Sequence, residues 1–179
     1  MQLSVDTHIP YPRAAVFALY RDDMKSLLPY LPNVVSIEVT SRKDDGPVAQ
    51  LVNEWRGGGD IPSAVRAVLG EKALAWTDYA TWDETAAHCD WRTETHVFKD
   101  ALRCSGRNRF IEKGPRDTVL EIRGTLEVDA TKIRGVPSFL AGRAARAIED
   151  FLTTRIQANL TETAKAVAKY LEDHPRTSS

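Results

Sequence analysis

Cysteine is scarce: Cys89 and Cys104 are the only two in 179 residues. Two thiols cannot build a disulfide framework, and neither has the neighbours of a zinc site, so both are expected as buried thiols in a reducing compartment. No metal or cofactor is expected. No apolar run approaches the length of a membrane span, so stable insertion is not expected either. An excess of charge is also missing. With 24 basic and 25 acidic residues the net charge is −1, and no overall field favours nucleic acid or an anionic surface. Met1 to Asp6 carries neither a basic n-region nor an apolar h-region, which points to a cytoplasmic protein. The chain also lacks a nucleophile elbow, a metal-binding His pair and a phosphate loop; Gly57-Gly58-Gly59 has no following Lys-Ser/Thr and is expected to be a turn or hinge. There is no repeat or low-complexity tract. One domain over residues 1–175 is expected, with 176–179 a loose tail.

What is present begins with a long amphipathic stretch from Pro137 to His174. Leu140, Ala144, Ile148, Phe151, Leu152, Ile156, Leu160, Ala164, Val167 and Leu171 recur at three- and four-residue steps, as one face of a helix requires. Pro137 suits a first helical position and His174-Pro175 a stop. Such a helix is on the order of 50 Å long and must lie across something broad.

The preceding chain supplies a sheet. Leu3, Val5, Thr7 and Ile9 alternate with polar residues, and two short helices follow, around Ala15 to Tyr20 and Met24 to Leu31. Val35 to Val39 and Val48 to Arg56 form a hairpin across Lys43 to Pro47. Helical spacing at Ile61 to Leu69 marks a short insertion. Strands resume at Leu74 to Trp82, Ala87 to Val97, Leu102 to Phe110 and Leu120 to Val128. His88, Asp90, Arg92, Glu94 and His96 share the wet face of one of them, and Arg107, Arg109 and Arg123 stand against Glu121 and Glu127 as cross-strand ion pairs. His88 and His96 lie about 27 Å apart along a strand, too far for one metal. The fold class is therefore α+β: a curved antiparallel sheet of about seven strands around a long C-terminal helix.

This order resembles the START-like, or SRPBCC, superfamily and its helix-grip fold, from Leu3 to about Glu172. The resemblance is carried by Val5-Asp6-Thr7-His8-Ile9-Pro10-Tyr11-Pro12 with Val16-Phe17, by Glu54-Trp55-Arg56-Gly57, by Trp76 and Trp82, and by the closing helix. It is closest to bacterial polyketide cyclase/dehydrase-like and lipid-binding branches. The resemblance implies a hydrophobic small molecule held between sheet and helix, with an entrance beneath residues 136–139, the 61–69 insertion and the strand loops, and with Gly135 and Gly142 letting that end move. Fold alone does not fix function. An aromatase/cyclase-type enzyme and a protein-interaction module without ligand are the alternatives.

Candidate ligand-binding residues follow from position. Trp55, Trp76, Trp82 and Trp91 all fall in strands, and at least three share the apolar parity; they pack a core or line a pocket. Thr93, Cys104 and Asn108 place polar atoms on the inner face, either bonded to one another or turned to ligand and water. Phe110, Phe139 and Phe151 complete the apolar set. Arg155 interrupts the helical stripe: it snorkels outward or holds an acidic head group. Asp78 is the one candidate for a proton-moving side chain.

Overall fold

A computed structural model describes residues 1–58, 75–97, 99–132, 139 and 141–175. The expected helix at Ile61 to Leu69, the segment 136–138 with Pro137, and Gly135 lie outside the described residues. So does the side chain of Phe151.

The described chain runs β1 (Gln2–Ile9), α1 (Arg13–Asp22), a 3-10 helical segment (Met24–Tyr30), β2 (Val34–Asp45), β3 (Val48–Gly57), β4 (Ala75–Asp83), β5 (His88–Thr95), β6 (Leu102–Gly114), β7 (Asp117–Val128), a 3-10 turn (Ala130–Lys132) and α2 (Ala141–Asp173). All seven strands join one antiparallel sheet in the order β1-β7-β6-β5-β4-β3-β2. The sheet curves around α2, which is the helix-grip arrangement. Two local expectations need correction. The second short helix is 3-10 rather than α, with Pro29 inside it. A 3-10 turn tolerates that proline because few backbone donors are used there. Ala87 belongs to the β4–β5 turn, not to a strand: at φ 49 it takes the left-handed conformation that reverses the chain.

Alternation in the strands sorts residues onto two faces, and strand register sets them in rows. One row crosses the sheet as Ala49, Trp82, Cys89, Asn108, Ile122 and Val5; the next as Leu51, Ala80, Trp91, Gly106, Gly124 and Leu3. On the first row Ala49, Trp82, Cys89 and Ile122 are all buried. Val16, Phe17, Leu19 and Tyr20 of α1 cover them, together with Leu27 and the Ala164, Val167 and Leu171 face of α2. Phe17 meets Trp82 edge to face at 5.3 Å and Phe110 at 5.1 Å, so the aromatic centre of this end is fixed in geometry as well as in area. This is the closed end of the grip.

The second row depends on two glycines. Trp91 lies flat across Gly106 and Gly124 of the neighbouring strands: a Cβ on Gly124 would sit 3.1 Å from the ring, and one on Gly106 only 2.5 Å from it. The indole N–H is held by Asn108, donating to its side-chain oxygen at 2.8 Å. Only a residue without Cβ leaves room for a ring pressed onto the sheet.

The convex face carries the charges. Arg107 pairs with Asp90, Arg109 with Glu121, and Arg123 with both Asp6 and Glu121. These exposed pairs add little individually. The sheet edges are β1 and β2; from Glu38 to Asp45 the β2 residues are exposed, and Arg42 grips Asp44 and Asp22.

Gly106→Ala is expected to lower stability by about 1–3 kcal/mol, because backbone as well as the Trp91 ring must shift to admit the methyl group. Gly142→Ala, at a helical position where an added Cβ meets nothing within 4 Å, is expected to be neutral or slightly stabilising. Urea unfolding of the two variants checks the contrast.

Candidate functional site

Away from the closed end the same inner face changes character. The next row reads Asn53, Asp78, Thr93, Cys104 and Leu126, one residue from each of five adjacent strands. Beyond it, Trp55 faces Trp76, which faces Thr95. The first four residues of the polar row are half-buried, as are Trp55, Trp76, Trp91 and Thr95, whereas Ala49, Trp82, Cys89 and Ile122 on the closed end are buried. Inward-facing side chains that keep accessible surface define an open half of the concave face. No such gradient was visible in the strand pattern itself.

The polar row is internally bonded at its Asn53 end. Asn53 donates from Nδ2 to Oδ2 of Asp78 at 3.1 Å, and Thr93 stands directly opposite Cys104. Burial pushes the Asp78 carboxyl up to about 6, with the Asn53 hydrogen bond opposing. Burial likewise pushes the Cys104 thiol up to about 11; the Thr93 side chain lowers it and the nearby Asp78 charge raises it. Cys89, deeper still, is raised well above its usual range by burial first and by Asp78 and Asp90 after. Neither cysteine is thus a thiolate nucleophile at neutral pH.

Two aromatic shelves flank this row. Trp55 and Trp76 stack with centroids 5.7 Å apart and planes 13° off parallel. Trp91 lies on the other side, one register step toward the closed end. The Trp55 indole N–H is buried without a hydrogen-bond partner among the described residues, and an unmet buried donor is an open position for an acceptor.

The candidate residues therefore divide. Asp78, Trp55, Trp76, Trp91, Thr93 and Cys104 come together on the open half. Asn108 joins them indirectly, as the anchor of Trp91. Trp82 and Phe110, expected in a pocket, are instead packed in the closed core at 5% and 2% exposure, because α1 covers that end. Phe139 is 84% exposed and stands on the surface rather than in the grip. Arg155 is half-buried on α2. Sequence reasoning missed Asn53, whose value comes from lying directly opposite Asp78, and the paired role of Gly106 and Gly124. Only register reveals either.

Two surface hollows lie elsewhere: one of about 550 Å³ beside Lys99, Asp100, Ala101 and Lys132, and one of about 460 Å³ between β1 and α2 at Ser4, Asp6, Gln157 and Thr161. Neither has an aromatic wall among the described residues. No group of three His, Cys, Asp or Glu among the described residues is placed to hold a metal, and no helix there is long and apolar enough to cross a membrane.

Neither a protein-family model nor a curated protein matches the sequence. Solved structures do match in fold. The Zhui aromatase/cyclase from Streptomyces sp. R1128 is 15% identical with a TM-score of 0.65, covering 99% of this chain and 96% of that one. Norcoclaurine synthase from Thalictrum flavum is 14% identical with a TM-score of 0.61, over 97% and 87% of the two chains. A START superfamily protein from Mycobacterium smegmatis is 13% identical with a TM-score of 0.56, over 96% and 97%. The chain has the START-like, SRPBCC-type fold.

The Asp78 environment has a stability signature. Because its native value of about 6 exceeds the ordinary value near 3.8, the unfolded chain releases the proton first as pH rises, and stability falls between about pH 4 and pH 6. The loss reaches up to about 3 kcal/mol at neutral pH. Asp78→Asn keeps an acceptor for Asn53 and is expected to be more stable than wild type at pH 7.5 yet nearly equal to it at pH 4. Urea unfolding at the two pH values checks this; an equal difference at both would place the effect elsewhere.

Proposed function

We propose that this START-like chain binds a mostly apolar small molecule, such as a lipid or polyketide, against the open half of its concave face. The observation that carries the reading is the contrast along one surface: Ala49, Trp82, Cys89, Phe110 and Ile122 are buried at the closed end, while Trp55, Trp76, Asp78, Trp91, Thr93 and Cys104 keep accessible surface. Three indole rings offer apolar area, and removing ligand surface from water contributes about 25 cal/mol per Å². The polar row fixes orientation, as a few convergent polar groups do in small-molecule sites. The fold neighbours support a ligand-binding scaffold in general terms. A cytoplasmic location belongs to the same proposal.

A second reading is an aromatase/cyclase-type enzyme, favoured by one feature: a half-buried carboxyl with its value raised to about 6, within range for moving a proton at neutral pH. Turnover of a reactive polyketide chain that is lost in Asp78→Asn would favour this reading over a carrier. An interaction module without ligand would need a sealed interior, and the accessible inner face weighs against it.

Trp91→Ala is expected to weaken binding of the neutral apolar dye Nile red by roughly 5- to 100-fold, in line with about 1–3 kcal/mol for a lost aromatic contact. Trp82→Phe, in the closed core, is expected to leave dye affinity unchanged. Dye fluorescence titration of the folded variants checks both, and equal affinity in wild type and Trp91→Ala would overturn this placement of the ligand.

A further inference from the structure

The polar row contains one charge-bearing side chain in an unusual electrostatic position. Asp78 lies in the middle of the inner face, opposite Asn53 on β3 and Thr93 on β5, with Trp76 two residues away on its own strand and Trp55 and Trp91 on the diagonals. Direct partners across a sheet stand about 5 Å apart and diagonal ones about 7–8 Å, within reach of long or aromatic side chains. Its one hydrogen bond among the described residues comes from the neutral amide of Asn53. Among the described residues, burial and that bond are the influences on the carboxyl, and no cation adds to them. Several other acids are paired: Asp6, Asp22, Asp44, Asp90 and Glu121 each meet an arginine. Asp78 is set apart from that pattern.

Resting on the reading that a ligand occupies the open half of the concave face, we propose that this ligand is an amphipathic cation: an apolar, ring-bearing body with a protonated amine that pairs with the Asp78 carboxylate between the Trp55–Trp76 stack and Trp91. A desolvated carboxylate loses water on folding and, among the described residues, gains no arginine or lysine in return, so an entering ammonium finds a charge whose desolvation has already been incurred. The carboxylate accepts a charge-assisted hydrogen bond from the ammonium, at the oxygen that Asn53 leaves open. The indole faces on either side attract the same cation through their negative quadrupoles, while their area takes up the apolar body. An anionic head group meets the reverse field. With its native value near 6, Asp78 is ionised at pH 7.5, where alkyl amines are protonated.

Three probes sharing one apolar part separate this proposal from the reading beneath it: 2-(2-naphthyl)ethylamine, 2-(2-naphthyl)ethanol and 3-(2-naphthyl)propanoic acid, titrated calorimetrically into the full chain at pH 7.5. The amine is expected to bind about tenfold or more tightly than the alcohol, and the acid most weakly. In Asp78→Asn the amine's advantage over the alcohol is expected to vanish. An alcohol that binds as well as the amine to wild type overturns the amine assignment alone and leaves the apolar site standing. An amine preference that survives in folded Asp78→Asn also overturns it. Failure of all three probes to bind overturns the ligand reading together with the proposal. Since the wild-type series decides by itself, the test does not depend on the variant folding.

Discussion

A curved sheet has two ends to its concave face but one long helix to cover them, and the rest of the structure follows from where cover is supplied. At one end α1 and the 3-10 segment add their apolar faces to Ala164, Val167 and Leu171 of α2, and the inner rows there are sealed. The interlocked rings of Phe17, Trp82 and Phe110 make that end rigid. At the other end the same strands continue with nothing equivalent among the described residues, so Trp55, Trp76 and Trp91 remain partly accessible. Stability and binding thus occupy opposite ends of one surface. That division lets polar residues sit on the inner face without unfolding it, because the packing that holds the sheet together is elsewhere.

Much of the architecture was legible before any coordinates. Strict alternation in β1 and in β4 to β7 announces half-buried strands, and three- to four-residue spacing from Leu152 to Leu171 announces the helix, because these periods are direct consequences of backbone geometry. The fold resemblance rested on the order of those elements and holds. Turn chemistry was harder. Ala87 is no turn signal in sequence, yet it adopts a left-handed conformation, and Pro29 marks a stop in an α-helix but not in a 3-10 turn.

The candidate site was legible only in part, for a physical reason. Periodicity tells which face a residue occupies but not which residue on the next strand it meets, and the polar row is a property of register. Bulges in β2 between Val34 and Ser36 and between Val39 and Ser41, and in β6 between Glu112 and Gly114, alter pairing in ways that spacing does not encode. Asp78 could be singled out as an inward acid, but its bond with Asn53, its place among three tryptophans and the absence of a cation beside it among the described residues required the assembled sheet. Gly106 and Gly124 are single glycines on two strands; only their pairing in the sheet makes them the floor beneath Trp91. Depth was similarly hidden, since nothing in the alternation of β4 distinguishes sealed Trp82 from accessible Trp76.

The pairing of β1 with β7 bears on how the molecule is made. Gln2 meets Thr125 and Leu3 meets Gly124, so the first strand of the sheet to be made waits for the last before it has a partner. The hairpins β2–β3, β5–β6 and β6–β7 can zip locally, but closure of the grip is a contact between distant parts of the chain, and such topologies fold slowly. Until β7 and then α2 emerge, Leu3, Ile9 and the apolar face of α1 have no finished surface to cover. The nascent chain therefore carries its adhesive elements unsatisfied for most of its synthesis, which is the interval in which a holding chaperone would matter most to its yield.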